Sequence, residues 1–219
     1  MKILAIEFSS SQRSVAVLDA QGSVLGTCVE VNGRNVITLV EGALAEAVTE
    51  REEIEILAVG LGPGSYTGIR GALALAQGWQ IGRPVKVLGV SSVDCLAAEA
   101  QREQIFGEVS IVIDAQRNEF YLARYELGAQ TSRLIQPLRL AAFSEIESLA
   151  GKGPLAGPDA TSHFASATNL HPTAATLGRL AVGQTDFVTA EKLEPIYLRA
   201  TAFVKAPPPR VIPGRWSTP

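Results

Sequence analysis

The 219-residue chain has few of the side chains on which metal sites and covalent catalysis depend, with two histidines and two cysteines. Cys28 and Cys95 are far apart and form no C-x-x-C pair, so we expect buried, reduced thiols in a cytosolic protein. The spacing of His163 and His171 does not put both on one helical turn, which argues against a zinc site. We therefore expect no metal, no cofactor and no catalytic residue in this chain.

Strong charge and long apolar runs are also missing. The formal net charge is −3 and the isoelectric point is about 5.5, which argues against a surface built mainly to bind nucleic acid. No apolar run reaches the roughly 20 residues of a membrane-spanning helix, and no basic-then-apolar leader precedes the first strand. These absences predict a cytoplasmic protein without membrane contact. A hydrophobic content of 47% is sufficient for a buried core.

The strong nucleotide-binding motifs fail in the most glycine-rich stretch, Ile56–Gly82. A Walker A loop ends in Gly-Lys-Ser/Thr, but no lysine occurs between residues 53 and 83. A dinucleotide fingerprint is broken where Ser65 stands at the third glycine, and no acidic residue follows about 20 positions later. Because a helix N-terminus can hold an anion without these motifs, weak phosphate binding stays open.

This stretch does contain a predicted buried strand, a glycine loop and a helix. Ser65 is a suitable N-cap for a helix that starts near Tyr66. Gly71, Ala74 and Gly78 recur at three- and four-residue spacing and share one helical face. Since each glycine inside a helix costs about 1 kcal/mol relative to alanine, we expect another backbone to approach this face closely. Tight packing within the domain and docking of a partner are both open interpretations.

The order of predicted elements repeats along the chain. The first half reads β-β-β-α-β-α-β-α, with an antiparallel meander over residues 2–31 and a helix from an Asn35 cap to about Val48 that has a broad apolar face. The plan begins again with a strand that ends at Asp114. This duplicated β-β-β-α-β-α pattern predicts an α/β protein of two lobes.

The second half is less regular than the first. We predict strands near residues 119–125 and 133–138, a short helix capped by Ser144, and a helix opened by Pro172. The predicted divisions are an N-terminal lobe at 1–104, a C-terminal lobe at 105–204 and a flexible Pro-rich tail at 205–219.

Other polar residues allow competing interpretations. Ser65 is not in a G-x-S-x-G elbow, and a hydrolase triad would need one of the two histidines. Glu7 and Asp114 each end a strand, a position that suits phosphate or Mg²⁺ binding but also ordinary turn and cap hydrogen bonds, which we favour. Arg70 lies near the positive end of its helix, so an ion pair, a carbonyl cluster or a partner carboxylate is expected to hold it.

Residues 62–70 read G-P-G-S-Y-T-G-I-R and resemble the G-P-G-S-[FY]-T-G-[LIV]-R signature of the TsaB (YeaZ) family. Further matches lie at residues 76–78, 89–92, 114–121 and 195–199. The resemblance therefore covers nearly the whole chain up to its last match.

The resemblance implies a two-lobed fold of the actin, Hsp70 and sugar-kinase kind, with ribonuclease H-like halves. It implies a role in forming N6-threonylcarbamoyladenosine at position 37 of tRNA, as the non-catalytic partner of TsaD, which carries the metal and the nucleotide. TsaE would join through TsaD, a homodimer would form in isolation, and tRNA would be met only through the complex. Glu7 and Gln116 replace the family's usual Asp and Arg, and residues 35–39 lack the H-x-x-x-H metal motif of TsaD-like proteins.

The resemblance also places the pairing surface on the helices of the first lobe, which their apolar and small-residue faces favour. A glycoprotease-type peptidase and a weak nucleotide-binding, kinase-like module remain as alternatives. The signature loop comprises Gly62, Pro63, Gly64, Ser65 and Gly68, and the predicted partner interface comprises Val36, Leu39, Val40, Ala43, Tyr66, Thr67, Arg70, Gly71, Ala74 and Gly78.

Overall fold

The computed structural model describes residues 1–33 and 35–198. Arg34 and residues 199–219 lie outside the described part, and with them the predicted Pro-rich tail and the final arginine of the family match. Within the described part the chain forms ten strands and five α-helices, arranged around two five-stranded sheets. None of these helices combines the length and apolar character that crossing a bilayer demands.

The first sheet is formed by residues 2–90. The elements of this half are β1 (Lys2–Glu7), β2 (Gln12–Leu18), β3 (Val24–Val31), α1 (Val36–Glu46), β4 (Ile54–Gly60), α2 (Tyr66–Gly82), β5 (Lys86–Val90) and α3 (Ser92–Arg102). The strand order is β3-β2-β1-β4-β5. The central pair, β1 and β4, is parallel and almost wholly buried because its apolar runs are covered on both faces. Helices α1 and α2 cover one of those faces.

The second sheet repeats this connectivity. Its elements are β6 (Gly107–Asp114), β7 (Glu119–Leu127), β8 (Ser132–Ala142), α4 (Phe143–Leu149), β9 (Leu155–Gly157) and β10 (Thr168–Asn169), followed by α5 (Ala174–Ala181). The order β8-β7-β6-β9-β10 corresponds to β3-β2-β1-β4-β5 of the first sheet. This correspondence confirms the predicted fold class, an α/β protein of two lobes built on a duplicated plan.

The second copy of the plan is shorter than the first. Helix α4 has 7 residues where α1 has 11. A single 3-10 turn, Ala160–Ser162, stands where the first copy has the 17-residue α2. In the described part, a long helix with an open face is therefore a property of the first lobe.

Helices α3 and α5 both join the two halves. Leu96 and Ala100 of α3 pack with the second sheet, whereas Leu177 and Ala181 of α5 pack on the face of the first sheet opposite α1 and α2. The predicted lobe boundary at residue 104 falls in the connection between the sheets, but the last helix returns to the first sheet. The division into 1–104 and 105–204 stays a prediction.

Two helix boundaries differ from the prediction because of local backbone geometry. Helix α1 ends at Glu46, and Val48 already has a left-handed φ of 47°. Helix α4 begins at Phe143, one residue before the Ser144 that was predicted to cap it. Its N-cap is Ala142, which has no side-chain acceptor to offer.

The last helix also begins later than predicted. Helix α5 starts at Ala174. Pro172 therefore precedes the helix and is not in its first turn. The Thr173 side chain takes the capping role by accepting a hydrogen bond from the Thr176 nitrogen at 3.2 Å.

The segment after α5 runs back along the first sheet and attaches to both ends of α2. The Ala190 nitrogen donates to Oε1 of Gln80, near the end of α2, at 2.7 Å. The Ile196 nitrogen donates to the carbonyl oxygen of Leu61, just before the signature loop, at 2.9 Å. The chain therefore leaves the described part beside the first turn of α2.

Candidate protein-interaction surface

The signature loop is held against the loop that joins β1 and β2. The Ser65 nitrogen donates to the Ser9 carbonyl oxygen at 2.7 Å. A Cβ at Gly64 would overlap that same carbonyl, and a Cβ at Gly68 would overlap the carbonyl oxygen of Phe8. Gly64 also has a backbone φ of 147°, a value that residues other than glycine rarely adopt. Packing inside the chain therefore accounts for these glycines.

Glu7 is a fully buried carboxyl group beneath the loop. Its Oε1 accepts from the Ser9 nitrogen at 2.7 Å, and its Oε2 accepts from Ser92 Oγ at 2.8 Å. Ser92 Oγ in turn accepts from the Gly62 nitrogen at 3.1 Å, and the missing Cβ of Gly60 leaves room for the carboxyl. Burial raises the pKa of Glu7, while hydrogen bonds from Ser9 and Ser92 act in the opposite direction. The carboxyl thus joins three chain segments, the hydrogen-bonding role favoured from the sequence.

The first turn of α2 carries an exposed aromatic cluster. Ser65 caps the helix by accepting from the Gly68 nitrogen at 3.3 Å. Tyr66 is 53% exposed, and the Arg70 guanidinium carbon lies 4.3 Å from the centroid of its ring. Tyr197 stacks on the same ring, with 5.6 Å between the two centroids. Arg70 is therefore held by a cation–π contact, a partner that the sequence did not predict.

The small-residue face of α2 is open. Ala74 and Gly78 are exposed, and Gly71 is half-buried. A Cβ at Gly78 would meet no heavy atom within 4 Å, and a Cβ at Gly71 would meet Val36 Cγ2 at an ordinary 3.8 Å. Packing within the described part does not require glycine at either position. Their helix-propensity cost of about 1 kcal/mol each therefore has no compensation from contacts among residues 1–33 and 35–198.

The residues predicted on α1 divide into two groups. Leu39, Val40 and Ala43 are only 3%, 3% and 0% exposed and pack in the core of the first lobe. The apolar face of α1 that was predicted to contact a partner packs instead on the first sheet. We therefore propose no direct partner contact for Leu39 and Ala43, whereas Val40 lies at the floor of the groove described next. Val36 is half-buried, and Ile37, which was not predicted, is 61% exposed.

A groove of about 360 Å³ lies between α1 and α2. The Trp79 indole nitrogen is shielded from solvent and has no hydrogen-bond acceptor among the described residues. Leaving such a buried donor unpaired costs about 1–3 kcal/mol. The groove is lined by Ile37, Val40, Arg51, Glu52, Leu75, Gly78, Trp79, Gly82 and Arg83.

A more polar cleft of about 380 Å³ lies between the two lobes. Ser11 Oγ donates to Asp159 Oδ2 across it at 3.2 Å, and His163 Nε2 lies 3.9 Å from Asp114 Oδ2. Ser65, which also borders the cleft, hydrogen-bonds to neither histidine in the described part. No three His, Cys, Asp or Glu side chains of residues 1–33 and 35–198 are grouped to hold a metal ion. Ser10 Oγ, which also lines the cleft, lies 3.3 Å from Nδ1 of His171, so a serine–histidine contact exists here, but Ser65 takes no part in it.

Sequence reasoning missed several contributors to the α1–α2 face. Ile37 and Ile81 are 61% and 88% exposed, and each is an apolar residue out of phase with the buried stripe of its helix. That mismatch is a signal that periodicity offers. Trp79 and Tyr197 gave no such signal. The unpaired indole nitrogen of Trp79 and the stacking of Tyr197 on Tyr66 both depend on the tertiary structure.

Comparison with known proteins shows the class to which this fold belongs. The family model described as "TsaD: tRNA N6-adenosine threonylcarbamoyltransferase" matches residues 32–192. The tRNA threonylcarbamoyladenosine biosynthesis protein TsaB of Escherichia coli is 30% identical over 224 residues, which cover 91% of this chain and 95% of that protein. TsaB of Haemophilus influenzae is 27% identical over 126 residues, or 57% of this chain and 53% of that protein.

Solved structures agree with the sequence relatives. YeaZ from Pseudomonas aeruginosa superposes with a TM-score of 0.76 at 28% identity, covering 90% of this chain and 99% of that one. The chain belongs to the TsaB (YeaZ) family.

Proposed function

We propose that this chain is the non-catalytic scaffold subunit that binds and supports TsaD in threonylcarbamoyl transfer to adenosine 37 of tRNA. The observation that carries the proposal is the open small-residue face of α2, where Gly78 has space around it that nothing in the described part fills. The process is taken from the family, whose Escherichia coli member is named for tRNA threonylcarbamoyladenosine biosynthesis.

The proposed surface combines a close approach with apolar anchors. At Gly71, Ala74 and Gly78 a partner helix can come nearer than the 8–10 Å between axes of ordinary helix pairs. Ile37 and Ile81 stand 61% and 88% exposed on the same two helices, and burying one such side chain contributes about 1.5–3 kcal/mol. The full proposed set is Val36, Ile37, Tyr66, Thr67, Arg70, Gly71, Ala74, Gly78 and Ile81.

The remaining partners follow from this assignment. A second copy of the chain takes the same surface when TsaD is absent, and TsaE is reached through the TsaD complex. The net charge of −3 favours contact with tRNA only as part of that complex. These steps take place in the cytoplasm.

The contacts of Glu7 and of the signature loop favour a supporting role over a catalytic one. Glu7 is enclosed and bonded to Ser9 and Ser92, so its carboxyl is not presented to the cleft. Gly64 and Gly68 admit the backbone of the β1–β2 loop, so packing within the chain gives a reason for glycine at both positions without a phosphate. The peptidase and kinase-like alternatives have no comparable support.

Gly78→Leu tests the mapping in a co-purification assay with TsaD, and Gly151→Leu is its control. A Cβ at either position meets no heavy atom within 4 Å, and both positions are exposed, but Gly151 lies in the second lobe after α4. We expect Gly78→Leu to abolish co-purification, because the added side chain holds the partner helix away, and Gly151→Leu to leave it unchanged.

The scaffold role is tested separately by reconstituting tRNA modification with TsaD and its partners. Omitting this chain, or supplying Gly78→Leu, is expected to remove the modification, whereas Gly151→Leu supports it. Undiminished binding of TsaD by Gly78→Leu would refute the mapping. Full modification without this chain would refute the role.

A further inference from the structure

A cavity of about 390 Å³ lies between the end of α3, helix α5 and the turn that joins β7 to β8. It is on the α5 side of the first sheet, opposite the face that α1 and α2 cover. Two arginines line it, Arg102 of α3 and Arg179 of α5, and no Asp or Glu of the described residues does. In a chain whose net charge is −3, this cavity is locally basic.

The walls of this cavity are tied to one another by hydrogen bonds. Gln101 Nε2 of α3 donates to the carbonyl oxygens of Gly128 at 2.7 Å and Thr131 at 2.9 Å, the two ends of the β7–β8 turn. Between the helices, Thr173 Oγ1 at the start of α5 donates to Glu99 Oε1 of α3. The three elements that form the cavity are therefore fixed relative to one another without a ligand.

The two guanidinium groups have only one carboxylate between them. Arg102 Nε lies 3.6 Å from Oε2 of the buried Glu99, whereas the Arg179 side chain has no hydrogen bond or ion pair within residues 1–33 and 35–198. Partial burial and the charge of Arg102 lower the pKa of Arg179, and Glu99 acts in the opposite direction. The undescribed residues, 34 and 199–219, contain no Asp or Glu. One positive charge is therefore left without a side-chain counterpart.

The position of each arginine at a helix end accounts for only part of this arrangement. Arg102 ends α3, and Arg179 lies in the last turn of α5, where a cation interacts favourably with the helix dipole. That interaction requires neither a shared cavity nor two cations that repel each other. A guanidinium has five N–H donors, so those of Arg179 are available to a ligand.

A terminal phosphate matches two guanidinium groups better than a carboxylate does. A guanidinium binds an oxyanion through two parallel N–H···O bonds, so one arginine is enough to occupy both oxygens of a carboxylate. A phosphomonoester has three terminal oxygens and a charge of about −1.5 to −2 at neutral pH. It can therefore accept from both arginines at once and offset the uncompensated charge.

We propose that this cavity binds the terminal phosphate of a small phosphomonoester. Arg102 and Arg179 hold the phosphate, and Gln130 on the β7–β8 turn offers its side-chain amide as a further donor. Ala98 and Leu180 supply apolar walls for the organic part of the ester. The site does not rest on the proposed function, because it lies on the face of the first sheet that is not assigned to TsaD.

The test is a titration of the full-length isolated chain, followed by NMR, with inorganic phosphate and with phenyl phosphate at an ionic strength held constant with sodium chloride. We expect saturable shifts of the Arg102, Gln130 and Arg179 amide signals, and tighter binding of phenyl phosphate because of the apolar walls. Arg179→Gln should raise the dissociation constant at least about tenfold, since it removes hydrogen bonds to a charged group. Arg179→Lys keeps the charge but loses the paired donors, and should give an intermediate value.

Arg133→Gln is the matched control. It removes the same charge, but Arg133 is an exposed residue that pairs with Glu126 and does not line the cavity. It should leave the dissociation constant unchanged. Thermal unfolding of each variant shows that it is folded, and an Arg179→Gln chain that is less stable but binds phosphate as before would show that this arginine serves only its helix.

Three results of the titration would overturn the proposal. The first is the absence of saturable shifts at these residues with either phosphate compound. The second is equal binding of acetate, which indicates a site for any anion. The third is binding of tRNA at the same residues more tightly than phenyl phosphate, which indicates a contact with a nucleic-acid backbone in place of a small ligand.

Discussion

Replacing Gly78 by alanine should stabilise the chain and weaken its partner complex at the same time. Gly78 lies inside α2, and a Cβ there meets nothing within 4 Å. The helix-propensity gain of about 0.8–1.0 kcal/mol is therefore unopposed in the free chain. For a protein of this size, such a gain raises the melting temperature by about 2–4 °C. In the complex, one methyl group added to a close-packed contact costs about 1–3 kcal/mol.

The two effects are measured separately. Thermal unfolding of the isolated chain gives the stabilisation, and titration calorimetry with TsaD gives a dissociation constant that we expect to rise about 5- to 150-fold. Gly68→Ala is the contrasting variant, because its Cβ would overlap the Phe8 carbonyl oxygen. It should destabilise the free chain by about 1–3 kcal/mol. A Gly78→Ala chain that is stabilised yet binds TsaD with unchanged affinity would refute the claim that a partner backbone approaches here.

Two further predictions concern buried and exposed positions of the first lobe. Burial raises the pKa of Glu7 in the folded state above its ordinary value, so stability from this group is fully present below the unfolded pKa and is lost as pH rises through the folded one. Glu7→Gln stays neutral, and its melting temperature relative to the unmodified chain should increase between pH 5 and pH 8; a constant difference would contradict this. Ile37→Asp should change unfolding free energy by less than about 0.5 kcal/mol but weaken TsaD binding at least tenfold, whereas Leu39→Ala should cost about 2–5 kcal/mol of stability. The reverse pattern in denaturant unfolding and calorimetry would contradict the division of α1 into core and surface.

The sequence was sufficient to predict the duplicated plan because its signals are local. Apolar runs, turn residues and caps such as Ser65 and Asn35 act over a few positions, and both caps form as predicted. The limits appear where spacing alone was used to choose a partner. Leu39 and Val40 show the period of an amphipathic helix, but periodicity does not say whether the chain's own sheet or another protein covers the stripe.

The glycines of the signature stretch show the same limit more sharply. From the sequence alone, Gly64 in the loop and Gly68 and Gly78 in the helix are equally open to packing within the chain or to contact with a partner. The structure separates them, because the first two meet the backbone of the β1–β2 loop while the third faces open space. That difference depends on a contact with a segment nearly 60 positions earlier in the chain, which no local pattern records.

The first residue and the last described residues lie at different distances from the proposed surface. The Met1 amino group pairs with Glu55 at 3.1 Å, where β1 and β4 begin, while the signature loop follows the opposite ends of these parallel strands. One strand length, about 20 Å for six residues, therefore separates the first residue from that loop, whereas Tyr197 touches α2 directly. An affinity tag or fluorophore at the amino end leaves the helical face clear, whereas the same group placed directly after Leu198, the last described residue, is tethered beside it. Binding constants measured with the two arrangements should not be compared as equivalent.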